Sequence, residues 1–402
     1  MRSSGQLLRK ERLAGIFLLT LTAINLAEVF YLVPKLERGY QDFTAFYCGA
    51  LMIRAGEGAR LYDLQLQYKT QLEFAPHVEI RNMALPYNHP PFEAVLLLPL
   101  AYLNFFPAYL AWSLLNIVML ALMVALIKKR FPDVAALDGR FLLLAIAGFM
   151  PVERALIQGQ DSVLLALLGT VGLTLLEKEQ DVAAGMALAL CLFKFQIALP
   201  MTFILAVRRP RLLLGFIPTA AGLGAMSLAV GGWSGVVGYV HYVLGLEKSG
   251  AGGAIPAAGM ANLHGLIASL AGTGARSATT MWVTVALSLI AIGMAAWLVS
   301  RRDASVPFVF GVASVSALAV SYHALMHDLT LLLPVVLLLF AGPVFEKREV
   351  YGDTILLMAL YTVLWASAHW WWLSPVWCMP VLVWMFWKFG RGRWKILSPV
   401  RA

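Results

Sequence analysis

The residues able to do chemistry in this 402-residue chain gather where charge is otherwise scarce. Residues 35–92 are the only long polar interval, opening LERGYQDFTAFYCGALMIRAGEGARLYD and closing PYNHPPFE. Its charged and hydrogen-bonding side chains include Arg38, Asp42, Tyr47, Arg54, Arg60, Tyr62, Asp63, His77, Glu79, Arg81, Asn88, His89 and Glu93. Three more polar clusters interrupt apolar surroundings. An ionisable group at bilayer depth costs at least a few kcal/mol, so each is a functional candidate. Lys194, in CLFKFQIALP with Gln196 beside it, offers a point charge for a phosphate; snorkelling to an interface is the plainer reading. His323 and His327 in SYHALMHDL are four apart, as on one helical face, with Asp328 next. That spacing suits a metal, yet no third ligand and no HExxH accompany it, which favours hydrogen bonding to an anion or to a neighbour. Gln158, Gln160, Asp161 and Ser162 in IQGQDS form a polar turn that reads as the cap of the next helix.

These residues must be positioned by membrane helices. Hydrophobic residues make up 60% of the chain and charged ones 13%, against roughly 25% charged in soluble domains. At about 20 apolar residues per crossing, the chain supplies about eleven to thirteen transmembrane or re-entrant helices, several of them short. The expected fold is therefore an all-α polytopic membrane protein, a single integral domain over 1–402. Its parts are a first helix at 13–33, a long external loop at 34–90 and a membrane core at 91–230. An external Gly/Ala-rich loop at 231–278 and C-terminal helices with a basic cytoplasmic tail at 279–402 follow. Within the first loop, Phe43, Phe46, Tyr47 and Leu51 have helical spacing and Gly56 and Gly58 supply a stop, so a helix lying on the membrane surface is expected, with Asp42 at its start. There the carboxylate reads as an ordinary N-cap.

The formal charge of +9 comes from short basic clusters beside apolar runs, which speaks for membrane orientation and against nucleic acid. The clusters are at residues 2–12, 208–211, 301–302, 347–348 and 388–395. They put both termini in the cytoplasm. Lys128, Lys129 and Arg130 obey the same rule if 91–104 dips without crossing and 182–207, interrupted at LFKFQ, is a re-entrant pair of half-helices. Segments at 141–157, 162–177, 212–230, 279–300, 304–321, 329–342, 354–372 and 376–387 complete the expected set. Cys48, Cys191 and Cys378 are far apart, so neither a disulfide framework nor a zinc site is indicated. No nucleotide-binding or serine-hydrolase motif is present.

Taken in order, D-F-x-x-F-Y, R-A-G-x-G-x-x-L-Y-D, Y-N-H-P-P-F-x-x-x-L-L-x-P-L, G-Q-x-S-x-L-L and A-G-x-x-L-A-L-x-x-x-K-x-Q resemble glycosyltransferase family 87, of the C-type glycosyltransferase superfamily. The resemblance runs from Gln41 to Arg211 and returns at SYHALMHDL. It implies a C-type glycosyltransferase fold in the cytoplasmic membrane and inverting hexose transfer, of mannose first, on the external face. The donor would be a sugar on polyprenyl phosphate and the acceptor a lipid or glycan. Asp42 falls at the family's catalytic position and would be the general base. Lys194, His323 and His327 would hold the donor phosphate. Tyr47, Arg54, Tyr62, Asn88, His89, Gln160, Gln196 and Asp328 would line the substrates. No cofactor and no metal are expected, since the leaving group is already a phosphate. The competing reading is a transporter or lipid flippase, which would bury Lys194 and the histidines along a path but has less use for a large polar first loop.

Overall fold

The computed structural model describes residues 2–77, 83–249, 257–272, 277–301, 304–341, 350–370 and 374–375. Among the described residues the chain is helical throughout, without a strand. The helices are α1 (Arg2–Glu37), α2 (Phe43–Arg54), α3 (Leu64–Phe74), α4 (Pro91–Leu96), α5 (Phe105–Arg130) and α6 (Pro132–Ala135). Then come α7 (Gly139–Ala147), α8 (Met150–Gln158), α9 (Ser162–Glu177), α10 (Asp181–Ala189) and α11 (Phe195–Arg208). The last six are α12 (Leu213–Ser249), α13 (Leu263–Ala271), α14 (Ala278–Val299), α15 (Val306–Val320), α16 (Leu333–Ala341) and α17 (Val350–His369). Five helical stretches are long and apolar enough by composition to cross a membrane, though one of them, Asp181–Arg208, folds back on itself; α7 with α8 makes a sixth bent by 61°, and there are five shorter apolar helices. Such lengths satisfy every backbone group within the helix, as a hydrocarbon surrounding demands.

The bundle has two ends. At one, residues 37–77 and 83–104 form a layer whose apolar core of Phe43, Phe46, Met52, Leu61 and Tyr87 is completed by Phe105 of α5. The helix expected to lie on the membrane surface, α2, is instead buried along most of its length inside this layer. Aromatic residues at helical spacing signal an apolar face, and here protein covers it rather than lipid. Gln67 and Gln71 of α3 make the layer rigid. Gln67 accepts from Tyr87 N and donates to Leu61 O at 2.9 and 2.7 Å, while Gln71 brackets Leu85 N and O at 2.9 and 2.7 Å. As expected, 91–104 does not cross, because it breaks into α4 and a 3-10 turn at Leu98–Tyr102.

From this near end α5, 26 residues long, descends about 39 Å to Arg130. There Arg130 bonds the Glu177 carbonyl at 2.8 Å and its carboxylate at 3.2 Å. The stretch Asp181–Arg208 holds 28 residues and, if straight, would be about 42 Å long. Yet Asp181 lies 3.7 Å from Arg209, so α10 and α11 must run antiparallel. They form a hairpin of two half-helices, with Lys194 at its tip. Two glycines let α10 lie against the start of α12: a Cβ on Gly185 would stand 1.8 Å from Leu212 O, and one on Gly215 1.9 Å from Val182 O. Having climbed to the near end, α12 breaks at Gly232 (φ 60°, ψ −176°), and Tyr239 and Tyr242 then lie against Tyr62 with ring centroids at 5.4 and 6.0 Å.

Two expectations need correction. The run at 141–157 is not straight, because Gly148 ends α7 and Pro151 opens the first turn of α8 without a donor. Among its described residues, the Gly/Ala-rich interval at 231–278 is mostly helical, in the tail of α12 and in α13; two of its glycines serve close contacts, since a Cβ on Gly235 would meet Gly58 O at 2.9 Å and one on Gly265 would meet Met260 O at 2.1 Å. The expected helix at 376–387, the cluster at 347–348 and the basic tail at 388–395 lie outside the described residues.

Candidate active site

Asp42, Gln160, Lys194, Asp161, Asp328, His89 and Glu93 meet where the near-end layer sits on the bundle. Asp42 stands at the N-cap of α2 but does not cap it: its backbone is helical (φ −65°, ψ −23°) and its side chain reaches no backbone N–H. Instead Asp42 Oδ2 accepts from Gln160 Nε2 at 2.8 Å, and Asp42 N donates to Gln158 Oε1 at 3.0 Å. The turn carrying these glutamines is held by α5. Tyr109 donates to Leu156 O and Ile157 O at 3.0 and 3.1 Å, and Trp112 to Gly159 O at 2.9 Å. Gly159 has φ +61°, and a Cβ there would meet Phe43 Cβ at 2.7 Å, so only glycine fits.

Lys194 is 3% exposed and does not snorkel. Its ammonium forms an ion pair with Asp161 Oδ1 at 2.8 Å and donates to Asp328 Oδ1 at 2.6 Å and to Gln160 Oε1 at 3.5 Å. Asp161 resembles Asp42: it occupies the N-cap of α9 without a capping bond, so the polar turn is more than a cap. Asp328 also accepts from Ser162 Oγ at 3.1 Å and, through Oδ2, from Leu325 N at 2.8 Å. That second bond explains why His323 and His327 do not share a helical face. The chain is extended at Ser321 and Leu325, and the 3-10 turn Met326–Leu332 begins only beyond them. His327 Nδ1 lies 3.1 Å from Ser162 Oγ and 3.2 Å from Asp328 Oδ1, leaving a buried Nε2 without a partner. His323 is half-buried and its carbonyl receives Gln196 Nε2 at 3.4 Å.

On the other flank, His89 Nδ1 lies 2.6 Å from Glu93 Oε2 and 3.4 Å from Asp161 Oδ2. Burial pulls the His89 imidazole down to about 4, against the attraction of Asp161. Tyr62 does not line a pocket with its hydroxyl but donates it to His89 O at 2.6 Å, fixing the loop that presents the ring. Two other expected lining residues are absorbed by the layer. Tyr47 is buried and donates to Leu103 O at 2.6 Å, and Arg54, at the far end of α2, bonds Ala101 O and lies over the Tyr102 ring. Asn88 is exposed beside His89. Sequence reasoning noticed Glu93 and Asp161 as polar residues but gave neither a role in the site, reading Asp161 as part of a helix cap. The signal for Glu93 was its place four residues after His89, hidden by the two prolines between; for Asp161 it was the company of Gln160.

With this geometry in hand, the comparison with known families is decisive: the model of glycosyltransferase family 87 matches residues 87–326. This chain belongs to glycosyltransferase family 87. It is a membrane glycosyltransferase, an enzyme of class EC 2.4 acting on a sugar donor and an acceptor, and the transporter or flippase reading falls. The matched region contains His89, Glu93, Gln160, Asp161, Lys194 and His323, and it begins after Asp42. No curated protein matches the transferase.

Proposed function

We propose that the transferase moves mannose from polyprenyl phosphate to a lipid or glycan acceptor on the external face of the cytoplasmic membrane, with Asp42 as general base. The observation that carries this reading is that the Asp42 carboxylate, relieved of capping, is held by Gln160, whose other end faces Lys194. The acceptor oxygen forms a bond to the anomeric carbon from the side opposite the phosphate. The bond from that carbon to the phosphate oxygen breaks, its electron pair leaving on the polyprenyl phosphate, and the acceptor proton passes to Asp42. Configuration inverts because one displacement occurs. The leaving phosphate falls to His323 and to the unpartnered Nε2 of His327, with the Lys194 ammonium supplying positive charge, while Asp328 positions Lys194 and Gln196 positions the His323 loop. Asn88 and His89 flank the substrates, and Gln160 orients the base.

The external placement is supported by charge. Lys128–Arg130, Arg208–Arg211 and Arg301 all fall at the end of the bundle opposite the site, the end from which α1 starts. The dip of 91–104 brings Lys128–Arg130 to that same side, with both termini cytoplasmic in this reading.

The test is transfer by purified protein in lipid, from polyprenyl-phosphate mannose and polyprenyl-phosphate glucose in parallel, comparing wild type with Asp42→Asn. Loss of a general base costs roughly 10²- to 10⁴-fold. A folded, donor-binding Asp42→Asn variant that transfers as fast as wild type overturns the assignment of the base, and use of glucose alone overturns the choice of sugar.

A further inference from the structure

We infer that His89, Glu93 and Asp161 form a binding site for one divalent cation of the manganese or magnesium class. This replaces the expectation of a metal-free site. Its role in holding the donor phosphate rests on the transferase reading above; its existence does not.

Three observations carry it. One donor atom from each residue lies within 4.8 Å of the other two, and the set combines an imidazole nitrogen with two carboxylate oxygens. Hard oxygen donors with one imidazole are suited to manganese, and carboxylates alone to magnesium. The donors come from three elements, the loop before α4, α4 itself and the start of α9, so no local turn chemistry accounts for their convergence. Next, the three donor atoms face chiefly one another, His89 Nδ1 standing 2.6 Å from Glu93 Oε2 and 3.4 Å from Asp161 Oδ2. Glu93 and Asp161 are each 2% exposed, and neither Glu93 Oε2, His89 Nδ1 nor Asp161 Oδ2 has a hydrogen-bond partner. Asp161 divides its oxygens, Oδ1 facing Lys194 at 2.8 Å and Oδ2 facing His89 at 3.4 Å.

The last observation is charge. Lys194 is shared between Asp161 and Asp328, and among the described residues no lysine or arginine pairs with Glu93. Buried carboxylates without a cation are strongly disfavoured, and a bound ion is often the largest local charge in such a site. The same deficit bears on the leaving group, because an ammonium already claimed by two carboxylates is a weak host for the second negative charge that the phosphate gains when the sugar departs. A cation beside Asp161 supplies the missing charge next to Lys194.

The measurement is Mn²⁺ binding to the purified full chain in lipid after chelation, by electron paramagnetic resonance and by metal content after gel filtration. Wild type should retain one ion per chain, Glu93→Gln should bind at least about tenfold more weakly, and nitrogen coupling to the ion should vanish in His89→Gln. Asp161→Asn is the obvious third variant but disturbs Lys194; Glu93→Gln, which touches no ammonium, keeps the test clean if Asp161→Asn does not fold. The inference is overturned if folded wild type binds no Mn²⁺, or if its affinity is the same in Glu93→Gln. Since the readout is binding, it stands apart from the fate of the mannose or Asp42 assignments.

Discussion

Lys194 has three protons to give, and two are taken by Asp161 and Asp328 at ion-pair distance while the third points along the 3.5 Å gap to Gln160. Removing the cation strands two buried carboxylates. Lys194→Met should therefore lower stability by about 3–5 kcal/mol, read as a fall in the thermal midpoint in lipid, with transfer lost as well; an unchanged midpoint would mean the pair is not formed. Gln160 does a different job, since it contributes one neutral hydrogen bond to the base. Gln160→Ala should lower kcat with little change in the donor KM, and a rise in KM alone would place it in binding instead. Much of this site was readable one residue at a time. Lys194, Gln160, Asp328 and His327 stood out as polar groups in apolar runs. Their pairing was hidden because the partners are up to 166 positions apart, and nothing in spacing reports which charge meets which.

At the scale of elements, the α10–α11 hairpin was legible because LFKFQ interrupts an apolar run with a lysine. The burial of α2 was not, since the same aromatic stripe serves lipid or protein. Gly185 tests the hairpin directly. Gly185→Ala puts a methyl 1.8 Å from Leu212 O, a backbone atom that cannot give way, and should destabilise by at least about 1–3 kcal/mol. Gly222→Ala, with open space around it, should be neutral or slightly stabilising, and equal thermal midpoints for the two variants would refute the packing. In the near-end layer, Asp63 caps α3 by accepting from Leu66 N and Gln65 N, both at 3.1 Å, and pairs with Arg60 at 2.8 Å. The Leu66 bond first, then Arg60, holds its carboxyl below the ordinary value. Its folded form is thus the worse proton binder. The stabilisation is complete above the unfolded value near about 4 and fades as pH falls through the depressed one. Asp63→Ala should cost about 1 kcal/mol at neutral pH, a difference that narrows on acidification in a proteolysis assay of the loop.

For the molecule as a whole, the separation of charge between the two ends sets an orientation that labelling can check. In a Cys378→Ser background, where Cys48 and Cys191 are buried, Gln65→Cys should react with an impermeant thiol reagent on intact cells and Lys129→Cys only after permeabilisation. The reverse pattern would turn the protein over and move the site to the cytoplasm. The all-helical membrane fold was open to composition, because lipid imposes one length on every crossing. The bend between α7 and α8 was not, because an apolar run looks the same straight or broken.

The reach of Asp328 back to Lys194 also bears on how the protein is made. A nascent chain inserts from its N-terminus, so the hairpin and its lysine enter the membrane with Asp161 for company, while the second carboxylate arrives only after α15 has crossed. The site therefore acquires its charge balance late in biosynthesis, and a chain stalled before residue 321 carries an incomplete centre however well its first half has folded.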